Sequence, residues 1–166
     1  IFYRLRMPWI RLLRENGYKV YAVVASGAWN EKIEEGGAEF VEWKLSRSGR
    51  NPLSEFGSVL GLTRILRRIK PDIVQNFHTK PNIYAPIAAK LAGVPVSVST
   101  VTGLGYTFVE RSGMTSSIGR RMNLRMYSIA NAIAKQVAFQ NPDDMALLRE
   151  SGGISKSKGV FISGGS

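Results

Sequence analysis

A chain of 166 residues with 44% apolar composition holds one domain with a sizeable core and is not disordered. It has no cysteine and one histidine, which excludes disulfides, thiolate metal sites and multi-histidine metal sites. Its 23 basic and 12 acidic residues give a net charge of +11, a field that favours a polyanion such as nucleic acid, anionic lipid or a pyrophosphate-bearing substrate, the alternative being a merely basic surface.

The chain opens at Ile1 inside a helical pattern, so further N-terminal sequence is expected to precede it. Phe2, Leu5, Trp9 and Leu12 recur at helical spacing, with Arg4, Arg11 and Arg14 elsewhere around the turn. Such a stripe is ordinarily a core face; the second reading is a surface for anionic membrane. Asn16-Gly17 ends this helix. Tyr18 to Val24 reads as a largely buried strand, Glu31 to Glu35 as a short helix, and Glu39 to Trp43 as a second strand.

A polar loop from Ser46 to Pro52 follows, then a helix from Ser54 to Ile69 with Phe56, Leu60, Thr63, Leu66 and Ile69 on one side. Arg64, Arg67, Arg68 and Lys70 suit the negative end of its dipole. Pro71 stops it, and Asp72 to Asn76 is a third strand. Asn82 to Ala92 reads as a helix closed by Gly93, Val96 to Val101 as a strand, and Thr102 to Gly113 as a glycine-rich loop. A helix near Ser117 to Ala134, a strand Gln136 to Gln140, a helix Asp143 to Ser151 and a strand Gly159 to Ser163 complete the chain. Strands alternating with helices imply an α/β fold: a Rossmann-like, doubly wound, mostly parallel sheet covered by helices on both faces. Ligands of such sheets sit at the C-terminal ends of the strands.

Three segments are candidates for chemistry. His78-Thr79-Lys80-Pro81-Asn82 follows the third strand, and its proline is able to open the next helix. A helix N-terminus with Lys80 beside it attracts anions, and His78 is suited to orient or polarise a sugar hydroxyl or to move its proton. The plain alternative is a satisfied histidine at a strand end. Thr102-Gly103-Leu104-Gly105-Tyr106 follows the fourth strand, where glycines let a ligand approach the backbone, although it is neither a dinucleotide fingerprint nor a P-loop. Phe108, Arg111, Met114, Arg120, Arg121 and Arg125 mix apolar tips with arginines in a way that suits lipid headgroups. No hydrolase elbow and no nucleic-acid module is recognisable, so nucleic acid is not an expected partner. Asp143-Asp144 reads as helix-start chemistry.

The ordered set Phe2 to Pro8, Trp43 to Arg47, Asn51-Pro52, Lys70 to Val74, His78 to Pro81, Thr102 to Tyr106 and Phe139 to Asp144 resembles the N-terminal domain of family 4 glycosyltransferases. Within that family it looks like the branch acting on polyprenyl-diphosphate-linked sugars. The resemblance covers essentially the whole chain and implies one half of the GT-B architecture. Residues 1–166 would then be a single acceptor-side domain, with its first strand before Ile1 and a donor-binding C-terminal domain after Ser166. It further implies a retaining, metal-free transfer from a nucleotide sugar held mainly by that second domain. The acceptor would be a glycan or polyprenyl-diphosphate-linked sugar of cell-surface polysaccharide or glycan biosynthesis, and the setting cytoplasmic, peripheral on the inner face of an anionic membrane. On the same resemblance His78 matches the histidine at the cleft, and Gly103 and Gly105 match a loop lining it. Thr79, Lys80, Leu104 and Asn141 are expected at the acceptor, and Arg111, Arg120, Arg121 and Arg125 at the membrane. Residues 1–166 alone would not catalyse transfer. Two other readings are a non-catalytic docking subunit of a split glycosyltransferase and a sugar-nucleotide epimerase-like enzyme.

Overall fold

The computed structural model describes residues 2–45, 52–104, 117–155 and 157–162, the side chains of residues 2–4, 52 and 117–120 excepted. Elements run α1 (Phe2–Glu15), β1 (Tyr21–Val24), α2 (Asn30–Glu35), β2 (Glu39–Glu42), α3 (Pro52–Ile69), β3 (Ile73–Phe77), α4 (Thr79–Ala92), β4 (Val96–Val101), α5 (Ser117–Ile133), β5 (Gln136–Phe139), α6 (Pro142–Glu150) and β6 (Gly159–Phe161). Each element expected from the periodicity is present, with boundaries differing by a few residues. Among the described residues, every strand pairing is parallel: β1 with β2, and β3-β4-β5-β6 in one four-stranded sheet. The chain divides into two compact units, residues 1–61 and 62–166.

In the first unit Met7, Ile10, Ala22, Ile33 and Ala38 form the core, flanked by the half-buried Val20 and Val24. The face of α1 read as apolar from the sequence is not the buried one. Leu5, Trp9 and Leu12 are 48%, 42% and 47% exposed, and Met7 and Ile10, one residue out of phase with Trp9, carry the packing. The helix thus has two apolar stripes, and the sequence period picks out the wrong one. In α3 the expected face is buried at Thr63 and Leu66 but not at Phe56, and Ser58 and Leu62 are buried as well. Trp43 follows β2, is buried, and donates its indole N–H to the carbonyl of Ser58 at 2.9 Å. An open hollow of about 490 Å³, lined in part by Arg14, Lys19, Glu34 and Glu39, lies at the N-terminal ends of β1 and β2. That is the opposite end from the one where ligands of parallel sheets bind.

In the second unit Val101, Tyr127, Val137, Phe139 and Leu148 are fully buried. Helices α4 and α5 pack against each other, and buried alanines (Ala88 and Ala89 on α4, Ala130 on α5) allow close approach. Gly93 closes α4 in the left-handed conformation, φ 78°, as a helix C-terminus favours. The end of α5 is closed by Lys158, whose ammonium donates to the carbonyls of Asn131, Ala132 and Ala134.

A polar seam fixes β3 and β4 in register. Phe77 stands opposite Thr100, the Asn76 amide donates to Ser99 Oγ at 3.0 Å, and Gln75 donates to Thr100 Oγ1 at 3.4 Å. Strands with polar residues on a buried face resist slippage, because a one-residue shift would orphan each of these groups. The C-terminal ends of β3, β4 and β5 therefore arrive side by side.

Candidate functional site

All three strand ends carry residues singled out from the sequence. His78 is the last residue before α4 and is solvent-exposed. Helix α4 opens at Thr79, not at Pro81; the proline lies in the first turn, where the N–H it lacks has no intrahelical acceptor. His78 has φ 71° and ψ 163°, a region that glycine adopts freely and other residues occupy at a cost of about 1–3 kcal/mol. Both neighbours impose this conformation. Phe77 is locked into the sheet, and the His78 carbonyl already accepts the Asn82 N–H at 3.0 Å.

Thr102 follows β4, and its Oγ1 lies 3.3 Å from Nδ1 of His78. Gly103 has φ 145°, a conformation that L side chains rarely adopt, and no atom lies within 4 Å of where its Cβ would be. It is exposed, so a ligand could approach the backbone at this point. Leu104 is buried, 2% exposed. Its backbone N–H donates to the carboxylate of Asp144. Gly105 and Arg111 lie outside the described residues.

The third strand end is Gln140-Asn141. Asn141 caps α6 by accepting the Asp143 N–H at 2.9 Å, and Pro142 sits at the first helical position, so Asn141's side chain serves the fold. Asp143 and Asp144 follow in the first turn, as helix-start chemistry requires. Burial raises the Asp144 carboxyl above the ordinary value of 3.8; the Leu104 N–H pulls it down and Asp143 pushes it up.

A further contact ties the first strand end to α5. Tyr127 of α5, fully buried, lies 3.4 Å from the Thr79 carbonyl, to which its hydroxyl donates. Burial pushes the Tyr127 phenol up to about 12; the bond to Thr79 opposes the shift and the nearby Asp144 charge adds to it. His78 thus meets Thr102, Thr79 meets Tyr127 of α5, and Leu104 meets Asp144, so neighbouring strand-end segments are joined in pairs. Asn82, 1% exposed, adds a further tie by donating from Nδ2 to the Thr100 carbonyl at 2.9 Å. Tyr127 carried no sequence signal: it looks like an ordinary helical residue, and only the tertiary contact reveals it, whereas Asn82 was visible as the last residue of the His78 segment. Thr102 was visible as the first residue of a glycine-bearing loop.

Lys80 is half-buried in the first turn of α4, so His78, Thr79 and Lys80 place an imidazole, a hydroxyl and an ammonium at the positive end of a helix dipole. Arg121 and Arg125 are exposed on α5, close along the helix to Met122 and Ile129, which are 60% and 56% exposed. Arg120 belongs to α5, and its side chain lies outside the described ones. No group of three or more His, Asp or Glu side chains able to hold a metal occurs among the described residues. No helix among them is long and apolar enough to cross a membrane.

A parallel α/β chain with its polar, glycine-bearing turns gathered at the strand C-termini is the arrangement of nucleotide- and sugar-handling enzymes of the Rossmann type. Over residues 2–141 the chain matches the family described as glycosyl transferase 4-like, and it belongs to that family. Among solved structures it resembles MurG of Acinetobacter baumannii, with a TM-score of 0.62, 15% identity, and coverage of 98% of this chain and 41% of the other. It also resembles a glycosyltransferase of Rickettsia africae, with a TM-score of 0.67, 17% identity, and coverage of 97% and 38%. The fold is therefore that of one half of a GT-B glycosyltransferase. Among curated proteins, the N,N'-diacetylbacillosaminyl-diphospho-undecaprenol alpha-1,3-N-acetylgalactosaminyltransferase of Campylobacter jejuni is 25% identical over 150 residues, 90% of this chain and 40% of that protein. The UDP-Gal:alpha-D-GlcNAc-diphosphoundecaprenol alpha-1,3-galactosyltransferase of Escherichia coli is 36% identical over 62 residues, 37% of this chain and 16% of that protein. The chain thus spans well under half the length of these relatives.

Proposed function

We propose that this chain forms the acceptor side of a glycosyltransferase that moves a sugar from a nucleotide-sugar donor to a polyprenyl-diphosphate-linked sugar. The observation that carries the reading is His78, an exposed imidazole held on a costly backbone conformation at the C-terminal edge of a parallel sheet. The names of both curated relatives contain an undecaprenyl-diphosphate-linked sugar, which supports the same class of acceptor here.

In this reading the acceptor hydroxyl attacks the anomeric carbon on the face that the nucleotide leaves, so configuration is retained. His78 orients that hydroxyl or the transferred sugar. Lys80 and the positive end of α4 offset diphosphate charge, and the exposed Gly103 lets a sugar approach the loop backbone. The nucleotide and its departing charge are held by residues outside this chain, without a metal. The net charge of +11 and the exposed Leu5, Trp9 and Leu12 of α1 support contact with an anionic membrane, where such an acceptor resides.

The test is binding of this chain to a short-chain polyprenyl-diphosphate sugar in detergent micelles, beside the corresponding nucleotide sugars. Saturable acceptor binding with no nucleotide-sugar binding is the expected result. Tight nucleotide-sugar binding without acceptor binding would instead favour a sugar-nucleotide epimerase-like enzyme.

A further inference from the structure

We propose that the outward face of α5 docks on an anionic lipid bilayer, with Met122 and Ile129 entering the headgroup boundary and Arg121 and Arg125 meeting lipid phosphates. This rests on the lipid-linked acceptor proposed above and adds, in the unit that carries His78, the surface that meets the membrane.

The helix has two distinct sides. Tyr127, Ala130 and Asn131 are buried and set the inner one. At ~100° per residue, Met122, Met126, Ile129 and Ile133 fall within about 60° of one another and form a single apolar row. Met126 and Ile133 are half-buried, whereas Met122 and Ile129 are 60% and 56% exposed, so the row reaches solvent. Arg121 and Arg125, both exposed, stand one turn apart beside it. No acidic residue occurs in α5, so neither arginine has an acidic neighbour along the helix.

An apolar row bordered by cations and free of anions is the pattern of a helix lying in a membrane interface, its apolar tips below the headgroups and its guanidinium groups at the phosphates. Aliphatic tips without an aromatic anchor suit a fluid lipid surface rather than a fixed protein pocket. The net charge of +11 adds long-range attraction to the same surface. The placement also suits the site. On the inner side of α5 the Tyr127 hydroxyl donates to the Thr79 carbonyl at 3.4 Å, and Thr79 follows His78. About one helix diameter, ~10–12 Å, therefore separates the docking face from the segment that carries His78.

The chain has no cysteine, so one introduced residue can carry an environment-sensitive fluorophore. Labelled M122C is mixed with vesicles of phosphatidylcholine, with and without phosphatidylglycerol, beside labelled K135C, an exposed position just before β5. Far-UV circular dichroism establishes that each variant is folded. The label at 122 should shift to the blue on the vesicles that contain phosphatidylglycerol, and the label at 135 should not. In sedimentation with those vesicles, R121Q/R125Q should weaken binding about 10- to 30-fold, and M122S/I129S about 10-fold. R64Q/R68Q, which removes the same charge from exposed positions on α3, should weaken it less than about threefold. Equal losses for the two arginine pairs would overturn the docking face in favour of unspecific attraction. A label at 122 that stays in water on vesicles that bind the chain, or no binding to anionic vesicles, would overturn it too. Saturable acceptor binding in detergent micelles beside any of these three results would leave the acceptor reading intact. Docking as predicted without acceptor binding would keep the face and overturn that reading.

Discussion

Asn82, three residues into the first turn of α4, donates its side-chain amide to the carbonyl of Thr100, the residue next to the last of β4, at 2.9 Å. It ties the helix that follows His78 to the strand that leads to Thr102. Both residues are buried, so neither group has water as a substitute. Replacing Asn82 with Leu should leave the Thr100 carbonyl without this donor and cost about 1–3 kcal/mol of stability. Urea unfolding of the two proteins checks this; midpoints that coincide would show that the tie contributes nothing.

The conformation of His78 predicts an unusual ranking. At φ 71°, alanine pays the same backbone cost as histidine, whereas glycine pays none. His78→Gly should therefore be more stable than His78→Ala by about 1 kcal/mol, the relief of strain exceeding the extra chain entropy of glycine. Denaturation midpoints of the two variants decide it, and an alanine variant as stable as the glycine variant would contradict the strain.

Asp144 makes stability depend on pH in a direction opposite to that of most carboxylates. Its folded-state pKa lies above the ordinary value of 3.8, so the native state binds the proton more tightly than the unfolded chain. Stability contributed by the protonated form is present below 3.8 and is lost as pH rises through the folded-state value. Asp144→Asn, which keeps a carbonyl for the Leu104 N–H, should gain stability relative to the parent as pH rises from 3.5 to 7, about the window in which the carboxyl ionises. Paired denaturation curves at the two pH values check it. An unchanged difference would mean that burial does not raise this carboxyl.

Lys158 predicts a purely structural effect. Its ammonium meets three carbonyls at the C-terminal end of α5, where the helix dipole is negative and the last carbonyls lack partners. Lys158→Met, which keeps the aliphatic stem, should cost about 1–2 kcal/mol. Thermal unfolding measures this directly, and a midpoint equal to that of the parent chain would show that the ammonium contributes nothing.

The order and type of the elements were legible because each strand is a short β-branched or apolar run and each helix is bounded by Gly, Pro or an Asn cap. The same patterns put His78 and Gly103 at adjacent strand ends, since the turns of a parallel sheet gather there. Burial direction was less legible. In α1 the exposed stripe of Leu5, Trp9 and Leu12 extends over more of the helix than the buried pair Met7 and Ile10, so the most extended periodicity points away from the core. The internal ties were not legible at all. Nothing in the sequence around Tyr127 or Asn82 distinguishes a hydrogen bond to a backbone carbonyl across the fold from an ordinary helical position, because such a bond depends on where another element's backbone arrives. The positive φ of His78 was equally hidden, since histidine carries no marker of it as glycine does.

The account turns on whether His78 acts in sugar transfer. Its most direct test is the rate at which the full-length gene product moves a sugar from a nucleotide donor to a polyprenyl-diphosphate-linked acceptor, with and without His78→Ala. A loss on the order of 10²- to 10⁴-fold in kcat, with the variant folded, is the predicted result. A rate matching the parent enzyme would contradict it.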